Sequence, residues 1–186
     1  MHGTMLDENE LRWLADNLPA NGELSYVDRM RVRVEVASDS VTSLLRLEEL
    51  CARRGYLAWQ ARFPDDDEPM ALLQRALHSP SDPDLTRALN SLNTKLDNVL
   101  GIGPEAFTAT YAGFACMTAA RHAVAGEIHD PVSERGEIEV PPQEWSPCFL
   151  ASLVVAGGAT WEDDVDTEAR RAYWRWYLVE AVPSVG

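Results

Sequence analysis

Apolar positions along most of this chain step by three and four residues, the spacing of one helix face, so the pattern predicts a mainly α protein. The cleanest signal is Leu85, Leu89, Leu92, Leu96 and Leu100, which opens after Ser81-Asp82-Pro83 and stops at Gly101. Leu11, Leu14 and Leu18 mark a short first helix that ends before Pro19 and Asn21-Gly22. Ser38-Asp39-Ser40 supplies capping side chains for a helix through Val41, Leu44, Leu45 and Leu47 toward Leu50 and Cys51, with a bend expected at Gly55. Tyr56, Trp59 and Phe63 carry that face on until Pro64, and the run Pro64-Asp65-Asp66-Asp67-Glu68-Pro69 reads as a turn capping the next helix.

One segment fits two periods. Met30, Val32, Val34 and Val36 alternate with Arg31, Arg33 and Glu35, as in a half-buried strand, whereas Tyr26, Met30 and Val34 also suit a helix; the reading leans to a short strand or extended arm over 26–36. After Gly103-Pro104-Glu105 a helix places Phe107, Tyr111, Phe114 and Thr118 on one side with alanine or glycine on most others, the pattern of a central helix that neighbours approach closely. A proline- and acid-rich loop follows from Glu127 to Pro147. A short buried helix, Phe149 to Ala156, is broken at Gly157-Gly158. In the last helix Ala169, Tyr173, Trp174, Tyr177, Leu178 and Ala181 form a broad apolar arc, and Arg170 falls inside it, where a guanidinium requires a partner. The expected architecture is one helical bundle over residues 1–186, with 1–37 as an N-terminal extension, 127–147 as a long acidic loop, and a core of the Leu85-to-Leu100 face, the Phe107-to-Thr118 helix and the aromatic tail.

Composition changes this picture chiefly through charge. Thirty acidic residues against sixteen basic ones leave a net charge of −14, which argues against nucleic-acid and anionic-membrane partners and favours a basic one. The charge is concentrated: from His122 to Ala169 there are eleven acidic residues and one base, Arg135. Cys51, Cys116 and Cys148 are odd in number and widely spaced, so reduced, buried thiols are expected. The N-terminus has neither a basic stretch nor an apolar run, and no segment approaches a membrane span, which together suggest a cytoplasmic protein.

The chemistry-bearing motifs are sparse. Cys116, His122 and His129 match no familiar zinc spacing, and Asp65-Asp66-Asp67-Glu68 lacks the glycine and second oxygen cluster of a calcium loop. There is no G-x-S-x-G elbow and no S-x-x-K, and Gly101-Ile102-Gly103-Pro104 lacks the fingerprint of a nucleotide fold. No metal, cofactor or catalytic residue is predicted, and a binding function is favoured over an enzyme.

Two stretches carry a resemblance. Arg46-Leu47-Glu48-Glu49-Leu50-Cys51-Ala52 through Phe63-Pro64-Asp65-Asp66-Asp67-Glu68-Pro69, and the tail from Arg170 to Pro183 with its Tyr-Trp-Arg-Trp-Tyr-Leu core, resemble the fifth immunity-protein family of bacterial polymorphic toxin systems. The resemblance implies a mostly helical protein that neutralises a toxin encoded beside it, with Asp65, Asp66, Asp67, Arg170, Trp174 and Trp176 as the matching framework positions. Within those stretches the carboxylates open to Arg170 are Asp65, Asp66, Asp67 and Glu180. For toxin contact, Glu134, Glu137, Glu139 and Glu144 of the acidic loop are the candidates, facing a basic toxin domain. The alternatives are an acidic chaperone or adaptor, with an extended apolar groove, and a helical enzyme with a dispersed polar site.

Overall fold

The small-residue helix becomes the axis of the molecule in the computed structural model, which describes residues 7–127 and 139–186. In chain order the helices are α1 (Glu8–Asp16), α2 (Tyr26–Asp39), α3 (Val41–Gly55), α4 (Leu57–Arg62), α5 (Glu68–His78), α6 (Leu85–Leu100), α7 (Phe107–Ala125), α8 (Pro147–Ala156) and α9 (Thr167–Trp176), the last running on as a π-helical turn, Tyr177–Ala181. Helix α7 is buried without interruption from Ala109 to Ala120, and α3, α4, α5, α6 and α8 all pack on it. Such enclosure is possible because alanine and glycine hold the helix surface close to its axis. A Cβ on Gly113 would lie 2.4 Å from Leu96 and 3.2 Å from the Trp59 ring, so at that crossing only a hydrogen fits. No strand occurs among the described residues, and none of their helices is long and apolar enough to cross a membrane.

The ends of the helices follow local chemistry. Asp7, Ser25, Ser40 and Asp166 each turn a side-chain oxygen onto a backbone N–H of the first turn, contacts worth roughly 0.5–2 kcal/mol each. Helix α3 gives way to α4 at Gly55-Tyr56, and α4 stops before Pro64. The expected core is present. Leu85, Leu89, Leu92 and Leu96 are buried, as are Tyr173, Trp174, Tyr177 and Leu178, and the tail rings meet edge to face with centroids 5.0 Å (Tyr173–Trp174) and 5.3 Å (Trp174–Tyr177) apart. Leu11, Leu14, Leu18, Leu24 and Val32 belong to the same cluster.

Residues 26–36 are not a strand or an arm; they form most of α2. The alternation misleads because the buried face of this helix is not its apolar one. Val32 is buried, but so are Arg29 and Arg33, while Val27 and Val34 are 72% and 55% exposed. Two arginines point inward and two valines outward, so a search for apolar periodicity finds no clean helix face.

Arg33 is accommodated by a buried carboxylate at the junction of α2, α3 and α7. Its Nη2 donates to Glu48 Oε1 at 2.8 Å, and His122 Nδ1 donates to Glu48 Oε2 at 2.8 Å; an ionised carboxylate only accepts, so Nδ1 carries the proton. Burial works to raise the Glu48 carboxyl, but His122 and then Arg33 hold it below the ordinary glutamate value. Burial likewise opposes the Arg33 charge, and Glu48 overrides it to keep that group above its usual value.

Two measurements test this frame. Gly113→Val should lower unfolding free energy by about 2–3 kcal/mol in urea titrations, through overpacking against Leu96 and Trp59. Glu48→Gln should cost about 3 kcal/mol at pH 7 by leaving a buried guanidinium without its counter-charge. Because Glu48 has a folded pKa below its unfolded one, its contribution is complete above the unfolded value and drains as pH falls through the folded value. The gap between wild type and Glu48→Gln should therefore narrow as pH drops below about 4.5.

Candidate functional site

The two acidic stretches of the second half, Glu139 to Glu144 and Glu162 to Asp166, are brought together by aromatic rings. Glu139 is exposed and Glu144 partly so, the latter in a 3-10 turn, Pro142–Glu144; Glu134 and Glu137 lie outside the described residues. The next residue, Trp145, is buried with its ring 5.8 Å from Tyr111, 5.4 Å from Phe149 and 5.9 Å from Trp161. That places the loop between α8 and α9 beside the 3-10 turn. The loop is tied at both ends and in the middle: Asp166 N–H donates to Ala156 O at 2.8 Å, and the Glu162 carboxylate turns inward to accept from Ala159 N–H and from the Tyr111 hydroxyl at 3.5 Å. Burial, then the Glu162 charge, push the Tyr111 phenol upward, which keeps it a hydrogen donor. Glu162 nestles against Gly158, where a Cβ would lie 2.5 Å from its Oε2. Trp161, Asp163 and Asp164 are left on the outside of the loop.

Beneath this loop lies Arg170, 1% exposed, with Nη2 donating to Gly158 O at 2.6 Å and Nη1 to Asn21 O at 3.5 Å. Its carboxylate is Glu23, at 3.4 Å from Nε, and not Asp65, Asp66, Asp67 or Glu180. Glu23 also receives Arg29 Nη1 at 3.0 Å, and the Arg29 guanidinium lies 4.4 Å from the Phe149 ring centroid. Burial raises the Glu23 carboxyl above its ordinary value, with Arg29 and then Arg170 offsetting part of the effect. Glu23 reaches this position because Gly22 (φ 73°) runs against the start of α9, where a Cβ would meet Thr167 O at 2.5 Å. Neither contact had a sequence signal: Glu23 sits in a short loop without periodicity, far from Arg170 along the chain. The other named carboxylates are elsewhere. Lys95 pairs with Asp66 and Glu68, and Asp65, Asp67 and Glu180 are exposed. Of the tail tryptophans, Trp174 is buried and Trp176 lies half-buried under the Arg54 guanidinium, 4.1 Å from its ring centroid.

The remaining candidates do not converge. Cys116 is in the core, His122 is engaged by Glu48, and His129 lies outside the described residues. Among the described residues no three His, Cys, Asp or Glu side chains are placed to hold a metal ion. All three cysteines are free and buried, and burial pushes their thiols up, away from the nucleophilic thiolate. Arg170→Ala should destabilise the protein by about 3 kcal/mol or more, since it leaves the largely enclosed Glu23 with one cation in place of two and Gly158 O without its buried donor, and amide exchange across 157–166 should rise with it. Unchanged thermal stability would exclude this role.

A family model described as Immunity protein Imm5 matches residues 17–184. No curated protein matches the chain. The matched span begins just after α1 and takes in Glu23, both inward arginines of α2, Glu48, the Asp65-to-Pro69 turn and the whole aromatic tail, so the chain belongs to the Imm5 family of immunity proteins.

Proposed function

We propose that this protein binds a bacterial toxin domain in a stoichiometric complex and thereby neutralises it, acting in the cytoplasm as an inhibitor and not as a catalyst. The observation that carries the proposal, beside family membership, is how charge is sorted. Arg29, Arg33 and Arg170 are buried in internal pairs, while the carboxylates of 139–144 and 162–166 gather on one face. With a net charge of −14, the exterior keeps a field that attracts a basic partner, speeds encounter and disfavours nucleic acid or anionic membrane. The segment from Glu127 to Glu144, with Glu134, Glu137, Glu139 and Glu144, is the steering surface in this reading; the sequence gives it six acidic residues against Arg135 alone.

Co-expression with the toxin encoded beside it provides the test. The wild-type protein should restore growth, and reversal of Glu134, Glu137 and Glu139 to lysine should slow association about tenfold at low salt and flatten its salt dependence, with an unchanged circular dichroism spectrum. Persistent toxicity in the presence of excess wild-type protein would refute the inhibitory function. Unchanged association kinetics in the triple variant would refute only the steering role.

A further inference from the structure

We infer that Trp161 is the anchor of the toxin-binding surface, its indole stacking on an arginine or lysine side chain of the partner while Asp163 and Asp164 bind the neighbouring cations. The inference rests on the toxin-binding reading above and names the contact within it.

Trp161 is 44% exposed, an unusual state for the largest apolar side chain. It is nevertheless not a free-swinging ring. Trp145 holds it edge to face at 5.9 Å and Phe149 lies 6.4 Å away, so one side of the indole is fixed against the core and the other is open. The backbone beneath it is equally constrained: Glu162 caps Ala159, Arg170 holds the Gly158 carbonyl, and Asp166 closes the loop onto Ala156. A partner that covers Trp161 therefore gains buried area without first ordering either ring or loop, which is the condition under which aromatic residues dominate interfaces.

Charge fixes the chemistry of the occupant. Asp163 and Asp164 are exposed and have no ion-pair partner among the described residues, and the sequence contains no lysine or arginine from Gly136 to Ala169. A tryptophan face set in such a field attracts a cation both through its ring quadrupole and through the flanking carboxylates. Guanidinium and ammonium groups meet both demands; an apolar or acidic side chain meets neither. The other exposed tryptophan, Trp13, makes the contrast. It is 62% exposed, but the carboxylates of its helix are already matched, Glu8 by Arg12, Glu10 by Arg31 and Asp16 by Arg175, and α1 lies outside the family match.

The experiment measures binding of the adjacent-gene toxin domain, rendered inactive, to full-length protein by surface plasmon resonance. Trp161→Ala should weaken binding about 30-fold or more, mainly through faster dissociation. Trp161→Phe, which retains a ring and its packing on Trp145, should lose only a few-fold. The paired change Asp163→Asn and Asp164→Asn should slow association several-fold and reduce its salt dependence; asparagine suits the left-handed backbone of Asp164 (φ 59°). Trp13→Ala should bind as wild type. If the wild-type protein binds and Trp161→Ala stays within about threefold of it, the anchor assignment is wrong and the inhibitory function stands. If the wild-type protein does not bind, both fall. Should Trp161→Ala fail to fold, the aspartate pair decides, since wild-type kinetics there would overturn the charged half of the surface and the inference with it.

Discussion

Three guanidinium groups are buried among the described residues, and two carboxylates make that arrangement tenable. Arg33 is held by Glu48, and Arg29 and Arg170 share Glu23. Each charge removed from water costs several kcal/mol unless matched, so the pairs contribute little net stability but make misplacement expensive. Their effect is on register. Turning α2 by one residue would swing Arg29 and Arg33 about 100° away from both glutamates, leaving the two guanidinium groups without a carboxylate, Glu23 with Arg170 alone and Glu48 with His122 alone. Helices α2, α3 and α7 are fixed to one another at Glu48, and the loop before α2 is fixed to α9 at Glu23.

The same frame reaches the surface. Arg170 is matched inside by Glu23, and its other end holds the Gly158 carbonyl at the root of the loop carrying Trp161, Asp163 and Asp164. From the opposite side, Tyr111 of α7 supports Glu162, and Trp145 joins the loop to the 3-10 turn that bears Glu144. An acidic face is ordinarily soft, since like charges repel and solvated loops fray. Here its backbone is stitched to the most deeply buried parts of the molecule, so the surface carboxylates are presented from a rigid base.

How much of this was legible in the sequence depended on which physical term set each element. Helix α6 was readable because its buried face is built from leucine at regular steps, and the starts of α3 and α9 because Ser40 and acidic residues mark them. Helix α2 was not, since arginines occupy its inner face and only tertiary partners reveal that they are neutralised. Arg170 could be recognised as a charge in need of a carboxylate, but Glu23 could not be chosen over Asp65, Asp66, Asp67 or Glu180: the contact is made by a close approach of Gly22 to the α9 backbone, which leaves no periodic trace. The acidic character of the second half was plain from composition. Trp161 carries no signal in the chain order because it sits in a loop, outside any periodic face, and Glu162 beside it turns inward to Ala159 and Tyr111, a rotamer choice that only the folded structure shows.

The sorting of charge also sets up opposite responses of folding and binding to ionic strength. With a net charge of −14 the acidic residues outnumber the cations available to match them, and the repulsion among them weakens the folded state at low salt. Screening relieves that repulsion within a Debye length of about 8 Å at physiological ionic strength, while pairs such as Glu48 with Arg33, enclosed by protein, are screened much less. Added salt thus favours the fold through its surface and leaves its core unaltered. The attraction of a basic partner draws on that same surface field and is diminished by the same ions. Both effects follow from the net charge of −14, while Arg29, Arg33 and Arg170, matched inside by Glu23 and Glu48, fix the helices in a way that salt does not reach.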